Sequence, residues 1–173
     1  MVWGKREIVE AQKNGRIKIT PFVENAIRGS SVNLRLGSEF RFLKKSSKPI
    51  DLSKGYETNF KKHSELVVLS GKEKLILKPG QMVLGLTLEK IKLPNNVCGF
   101  IEGRSGLARL GLLVHVSSEL IHPGANNKQV LELVNLGPSS LELRPGTEVC
   151  QIVLDDVKSS SSLVHSFQKQ DSL

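Results

Sequence analysis

Two features of this sequence carry most of its chemistry: a glutamate set among valines, and a serine flanked by two arginines. In Gln129-Val130-Leu131-Glu132-Leu133-Val134, a strand would place Val130, Glu132 and Val134 on one face and Leu131 and Leu133 on the other. A carboxylate among apolar neighbours is costly unless paired, and burial raises its pKa. General acid/base carboxylates are made this way. The plainer alternative is a strand-face ion pair, with an arginine across a subunit boundary as one partner. Glu142, in Leu141-Glu142-Leu143 after Ser139-Ser140, is explained by ordinary strand alternation near a turn.

The second feature is Gly103-Arg104-Ser105-Gly106-Leu107-Ala108-Arg109-Leu110-Gly111, which follows the apolar segment Val97 to Ile101. Leu107 to Leu110 can form one helical turn. Ser105 would then stand near its N-terminus, where unpaired backbone N–H groups attract anions. Arginines beside such groups suit a triphosphate. On one regular helix Arg104 and Arg109 would diverge by about 140°, so they converge only if Arg104 lies in the loop. A solvated turn with two surface arginines is the alternative.

Other chemistries find less support. The histidines are His63, His115, His122 and His165, and none stands at a ligand spacing from a cysteine. The zinc signature His-x-Glu followed by Pro-Cys-x-x-Cys is absent, so no zinc is expected. His115, in Val114-His115-Val116, reads as a hydrogen-bonded strand histidine. No Gly-x-Ser-x-Gly elbow suggests a serine nucleophile. The net charge of +8 over 173 residues points to an anionic partner. Aromatics make up only 5 % and the lysines are scattered, so nucleic acid is disfavoured as that partner. No apolar signal core opens the chain, and no run approaches the ~18 residues of a spanning helix. Two cysteines, Cys98 and Cys150, are too few for a disulfide framework. A reducing, cytoplasmic setting and no membrane contact are expected.

The elements that must hold these residues are mostly short strands. Lys5 to Lys13, ending at Asn14-Gly15, reads as one helix. Arg16 to Thr20 is strand-like. Val32 to Leu36 and Phe40 to Phe42 read as two half-buried strands around Gly37-Ser38. Pro49 to Ser64 is a polar surface excursion. Leu66–Leu69, Leu75–Leu77, Met82–Leu88, Val97–Ile101, Leu110–Val116, Val130–Val134, Leu141–Leu143 and Val149–Leu154 are strand-sized, with Pro and Gly between them. This is the pattern of an all-β sandwich or barrel. A single domain over 1–156 is expected, followed by a mobile arm, 157–173.

At this point a resemblance carries further. The run from Gly103 to Val116 is similar to the central motif of the dCTP deaminase family, in the dUTPase-like superfamily. The similarity continues through Ile121-His122-Pro123-Gly124, Val130-Leu131-Glu132-Leu133, Asn135-Leu136-Gly137, Leu143-Arg144-Pro145-Gly146 and Cys150-Gln151-Ile152-Val153. Upstream, Ser30 to Gly37 resembles the early motif, and Leu93-Pro94 fits as well. The resemblance implies a distorted jelly-roll β-barrel with a short N-terminal helix, and a homotrimer with sites between subunits. It implies zinc-independent hydrolysis of dCTP to dUTP and ammonia, with Mg²⁺ bound through the triphosphate.

The resemblance also implies residue roles. Glu132 activates water at cytosine C4 and passes the proton to the leaving ammonia. Ser105 helps hold that water and the phosphates, and Arg104 and Arg109 lie near them. Gly106, Leu107 and Ala108 complete the phosphate-binding turn. His115 borders the pocket, backbone around Ser117, Ser118, Val130 and Leu131 reads the base, and Gln151 contacts phosphate.

The chain departs from the family in several places. His122 stands at an aspartate that contacts the sugar or positions water. Ala125 stands at an aromatic on the sugar, Asn33 at an aspartate, Gly106 at a second serine, and Ser117-Ser118 at Thr-Ala. In the arm, Phe167 and Gln170 take the places of a closing tyrosine and glutamine. The main alternative is a dUTPase-fold homologue that binds nucleotide or a partner but turns over weakly or not at all. A dUTP diphosphatase is the second, disfavoured because it needs its own water-orienting carboxylate where His122 stands.

Overall fold

A computed structural model describes residues 1–55, 60–159 and 171–173. The helix expected at the N-terminus is α1, Lys5–Lys13, which buries Ile8 and Ala11. It ends at Asn14, and Gly15 follows at φ 77°, the left-handed residue that closes a helix.

Twelve strands follow: β1 Lys18–Thr20, β2 Ile27–Arg28, β3 Ser31–Leu43, β4 Ser64–Val68, β5 Leu75–Leu77, β6 Met82–Lys92, β7 Val97–Gly103, β8 Leu112–Leu113, β9 Leu120–Ile121, β10 Asn126–Asn135, β11 Leu141–Leu143 and β12 Glu148–Asp156. A single helical turn, α2 (Ser105–Ala108), interrupts them after β7. Ten strands form one curled sheet whose main path runs β8-β10-β6-β3-β12-β7-β9. β5 and β11 form a separate pair. The all-β expectation holds.

Three expectations are corrected. First, Gly37-Ser38 does not separate two strands, because β3 runs through it. The register against β6 slips there, from Leu36↔Thr87 to Phe40↔Gly85, so the glycine marks a bulge rather than a turn. A Cβ on Gly37 would lie 3.0 Å from the Leu86 carbonyl oxygen. The start of β3 is also fully buried rather than half-buried: Val32, Asn33 and Leu34 are all inside.

Second, of the expected strand Leu110–Val116 only Leu112–Leu113 pairs, with β10. Gly111 turns the chain at φ +94°, and a Cβ on it would stand 2.3 Å from the Gly137 nitrogen. His115 therefore sits in a loop. Third, β6 and β10 extend beyond Met82–Leu88 and Val130–Val134, and β9 joins the edge of β7.

The core runs through the sheet and under α1, with Phe40, Leu34, Leu36, Leu86, Leu131 and Ile152 among its fully buried side chains. The N-terminus packs along β12: Trp3 N–H donates to the Leu154 carbonyl at 3.0 Å and Arg16 pairs with Asp156. Near the other end, Asp171 pairs with Lys90 and Arg41 donates to the Leu173 carbonyl. Among the described residues no helix is long and apolar enough to cross a membrane.

Candidate active site

β3, β12 and β7 lie side by side in the sheet, and two polar rungs cross all three. In the first, Ser31 Oγ donates to Gln151 Oε1 at 2.7 Å, and Gln151 Nε2 donates to the Gly103 carbonyl at 3.5 Å. In the second, Asn33 Nδ2 donates to Glu148 Oε2 at 2.8 Å. Arg104 Nη1 donates to the Glu148 carbonyl at 2.8 Å and stands 3.2 Å from Glu148 Oε2. Both rungs end where β7 turns into α2. Behind them, Glu89 is buried and chelated by Arg35, Nε to Oε1 at 2.6 Å and backbone N–H to Oε2 at 2.8 Å. A hollow lined by Asn33, Arg35, Glu89, Glu148, Phe22 and Val23 opens beside this pair, not beside Glu132 or Ser105.

Arg104 is the extended residue that precedes α2 (φ −92°, ψ 122°), and Ser105 is its first helical residue. Arg104 thus lies outside the helix, which was the condition for two arginines five apart to converge. Ser105, Gly106, Ala108 and Arg109 are exposed, and Leu107 is half-buried. A Cβ on Gly106 would meet nothing within 4 Å, so space does not forbid the family's serine there. Among the described residues, the side chains of Ser105 and Arg109 make no hydrogen bond or ion pair.

Glu132 lies on β10 as expected, but on the other face from the core. Leu131, Leu133 and Asn135 are buried, whereas Val130, Glu132 and Val134 are half-buried. The expectation of a carboxylate immersed in apolar side chains is therefore corrected. What holds it is backbone: Val116 and Ser117 N–H donate to Oε2 at 2.6 and 2.8 Å. The Glu132 N–H in turn donates to the Val114 carbonyl at 3.0 Å. The loop 114–117 also reaches β7, since a Cβ on Gly103 would lie 3.7 Å from Val114 Cγ2. One loop thus links the carboxylate to the start of α2. Among the described residues Glu132 Oε1 takes no hydrogen bond.

The remaining candidates fall around this frame. His115 is half-buried and Ser118 exposed, both in the loop that grips Glu132. The Ser117 N–H is already given to Glu132, which takes it from the donors expected to read a base. His122 is exposed before β10, and Ala125 is buried in the core rather than presented at a site. Leu131 offers only its backbone, because its side chain is fully buried. Gln151 is engaged in the first rung. Phe167 and Gln170 lie outside the described residues.

Glu148 is the residue that sequence reasoning missed. The register of β12 on β3 passes from Glu148↔Arg35 to Cys150↔Leu34, so Val149 is an extra residue. In unbroken alternation Glu148 would share the inward face of Cys150, Ile152 and Leu154. The bulge buries both Val149 and Cys150 and turns Glu148 outward, toward Asn33 and Arg104. No local signal in the sequence announces it.

The comparison with known families decides the assignment: the model described as dCTP deaminase-like matches residues 2–157. The chain belongs to that family. It is 39 % identical over 175 residues to a dCTP deaminase of Marinomonas sp. (strain MWYL1), covering 96 % of this chain and 88 % of the relative. It is 44 % identical over 146 residues to a dCTP deaminase of Shewanella sp. (strain ANA-3), covering 80 % and 75 %. A relative in Methanosphaera stadtmanae named dCTP deaminase, dUMP-forming, is 34 % identical over 168 residues, covering 96 % and 85 %. Among solved structures, the 2′-deoxycytidine 5′-triphosphate deaminase of Agrobacterium tumefaciens matches with a TM-score of 0.68 at 18 % identity. That match spans 88 % of this chain and 46 % of the other, less than half its length. It shows the shared fold.

Proposed function

We propose that this member of the dCTP deaminase family hydrolyses dCTP to dUTP and ammonia, with Glu132 as the general base and acid. The observation that carries the reading is the half-buried Glu132, whose Oε2 is clamped by the Val116 and Ser117 N–H groups and whose Oε1 is left for a water. Oε1 takes a proton as the water oxygen bonds to cytosine C4. The C4–N4 bond then breaks, and the proton leaves with N4 as ammonia. A carboxylate already fixed needs no further ordering at that step.

Ser105, with the N–H groups of the α2 turn, Arg104 and Arg109 bind the phosphates. His115 and Ser118 border the base, and backbone at Val130 and Leu131 lies alongside it. Gln151 adds a phosphate contact, and Phe167 and Gln170 contact the nucleotide. Mg²⁺ enters on the triphosphate oxygens, where it offsets phosphate charge, and the reaction needs no zinc. Among the described residues no three His, Cys, Asp or Glu side chains stand together as a metal site.

Leu110, next in sequence to Arg109, Val116, in the loop that holds Glu132, and Leu120 are exposed at 62, 54 and 43 %. This supports a homotrimer that covers these side chains and completes each site from a neighbouring subunit. The second reading, release of dUMP and pyrophosphate, is favoured by a dUMP-forming relative and disfavoured by His122 at the usual aspartate.

Incubation with dCTP and Mg²⁺, with products separated by ion exchange, tests this. The expected product is dUTP, absent with Glu132→Gln, which still binds dCTP. Normal turnover by that variant removes the mechanism. Pyrophosphate release selects the second reading. No turnover of dCTP by the folded protein leaves a nucleotide-binding homologue.

A further inference from the structure

We propose that Glu148 is a positioning residue for Arg104. The inference rests on the reading of Arg104 as a phosphate ligand.

Asn33 is 4 % exposed, and a buried amide there must be satisfied. Its Nδ2 donates to Glu148 Oε2, the same oxygen that faces Arg104 Nη1 at 3.2 Å, while the Glu148 carbonyl accepts from Nη1 at 2.8 Å. Two oxygens of one residue thus fix the guanidinium. An aspartate at 33 beside this Glu148 would set two carboxylates against each other, a costly arrangement. Asn33 and Glu148 therefore form a matched pair. The Val149 bulge makes the pairing possible by turning Glu148 out of the core.

Stability alone does not account for the pair. The Arg104 and Glu148 side chains are 35 and 32 % exposed, and ion pairs at such sites contribute little. Their effect is geometric: Arg104, with five fixed donors, is aimed before any phosphate arrives. In Glu148→Gln the amide oxygen can still accept from both Asn33 and Arg104, so the fold is kept and only the charge is lost.

The test reads affinity for inorganic triphosphate by calorimetry, dCTP kinetics and melting temperature in wild type and Glu148→Gln. We expect Glu148→Gln to weaken triphosphate binding and raise KM about tenfold, the value of roughly one charge-assisted contact. Its kcat and melting temperature stay unchanged. Unchanged or tighter triphosphate binding by Glu148→Gln overturns the proposal, and tighter binding marks Glu148 as a competitor of phosphate. A lowered melting temperature with unchanged KM assigns a structural role instead and also overturns it. Failure of the wild type to bind triphosphate overturns it as well. A wild type that binds triphosphate but does not deaminate dCTP ends the deaminase reading alone, and the Glu148 result stands.

Discussion

The two sides of the candidate site are built in opposite ways. On the β3–β12–β7 side most polar groups are engaged within the chain: Ser31 with Gln151, Asn33 and Arg104 with Glu148, Arg35 Nε with Glu89, while Arg35 Nη2 is buried without a hydrogen-bond partner among the described residues. On the side made by α2, the loop 114–118 and β10, Ser105, Arg109 and Glu132 Oε1 keep open valences. Leu110 and Val116 stay in water. A paired network resists displacement because each broken contact strands a partner. An open set of donors and acceptors contributes little to folding and is available to a ligand or a second subunit. The fold thus supplies positioning from one side and binding from the other.

The sharpest test of the open side is Glu132→Gln. Acid/base groups contribute about 10²–10⁴-fold, so turnover falls by that order. The amide still accepts from Val116 and Ser117, and the melting temperature holds within roughly 2 °C. An equally large drop in melting temperature would move Glu132 into the structural half.

Gly111→Ala sits at the seam between the halves. Its positive φ and the Gly137 backbone at 2.3 Å from a new Cβ make the substitution cost about 3 kcal/mol or more. That lowers the melting temperature by about 6–12 °C. A small shift in a thermal scan would show that the 110–114 loop can yield.

A paired substitution then separates the halves directly. Asn33→Ala leaves Glu148 short of a donor and costs about 1–3 kcal/mol in denaturant unfolding. Arg109→Ala, exposed and with no side-chain hydrogen bond or ion pair among the described residues, stays within about 0.5 kcal/mol while weakening triphosphate binding. If the two lose similar stability, the comparison fails.

The smallest effect lies outside both halves. Partial burial works to raise the Asp156 carboxyl, but the Trp3 side-chain hydrogen bond and the Arg16 guanidinium outweigh it and hold it below its ordinary 3.8. A lowered carboxyl contributes stability above the unfolded value, and that contribution is lost as pH falls through the folded one. The melting-temperature gap between wild type and Asp156→Asn is therefore small and constant well above 3.8, and it closes below that value. A gap that persists in acid would show that Asp156 acts otherwise.

Much of this arrangement could be read from residue order. Lys5 to Lys13 carries its own helix stop, and a short turn follows an apolar strand, as the spacing indicated, though it spans Ser105–Ala108 rather than Leu107–Leu110. Arg104 falls outside that turn. Glu132 shares a face with Val130 and Val134, as alternation requires. Where the reading failed, the deciding contacts were distant in sequence. Gly37 looked like a breaker until β6 lay against it, and Leu110–Val116 had the composition of a strand but only two residues with a partner.

Alternation along β10 divides its residues into two sets, and the sequence alone settles that division, because the side-chain period in a strand is two. It also settles the local turns, whose hydrogen bonds close within a few residues. Which set faces the core was decided by the sheet: β6 and β8 on either side of β10 turned Leu131 inward and left Glu132 at the rim. The Val149 bulge was decided the same way, by the register of β12 on β3. Register is a property of two strands together, and one extra residue reverses which side chains point in. It placed Glu148 on Arg104.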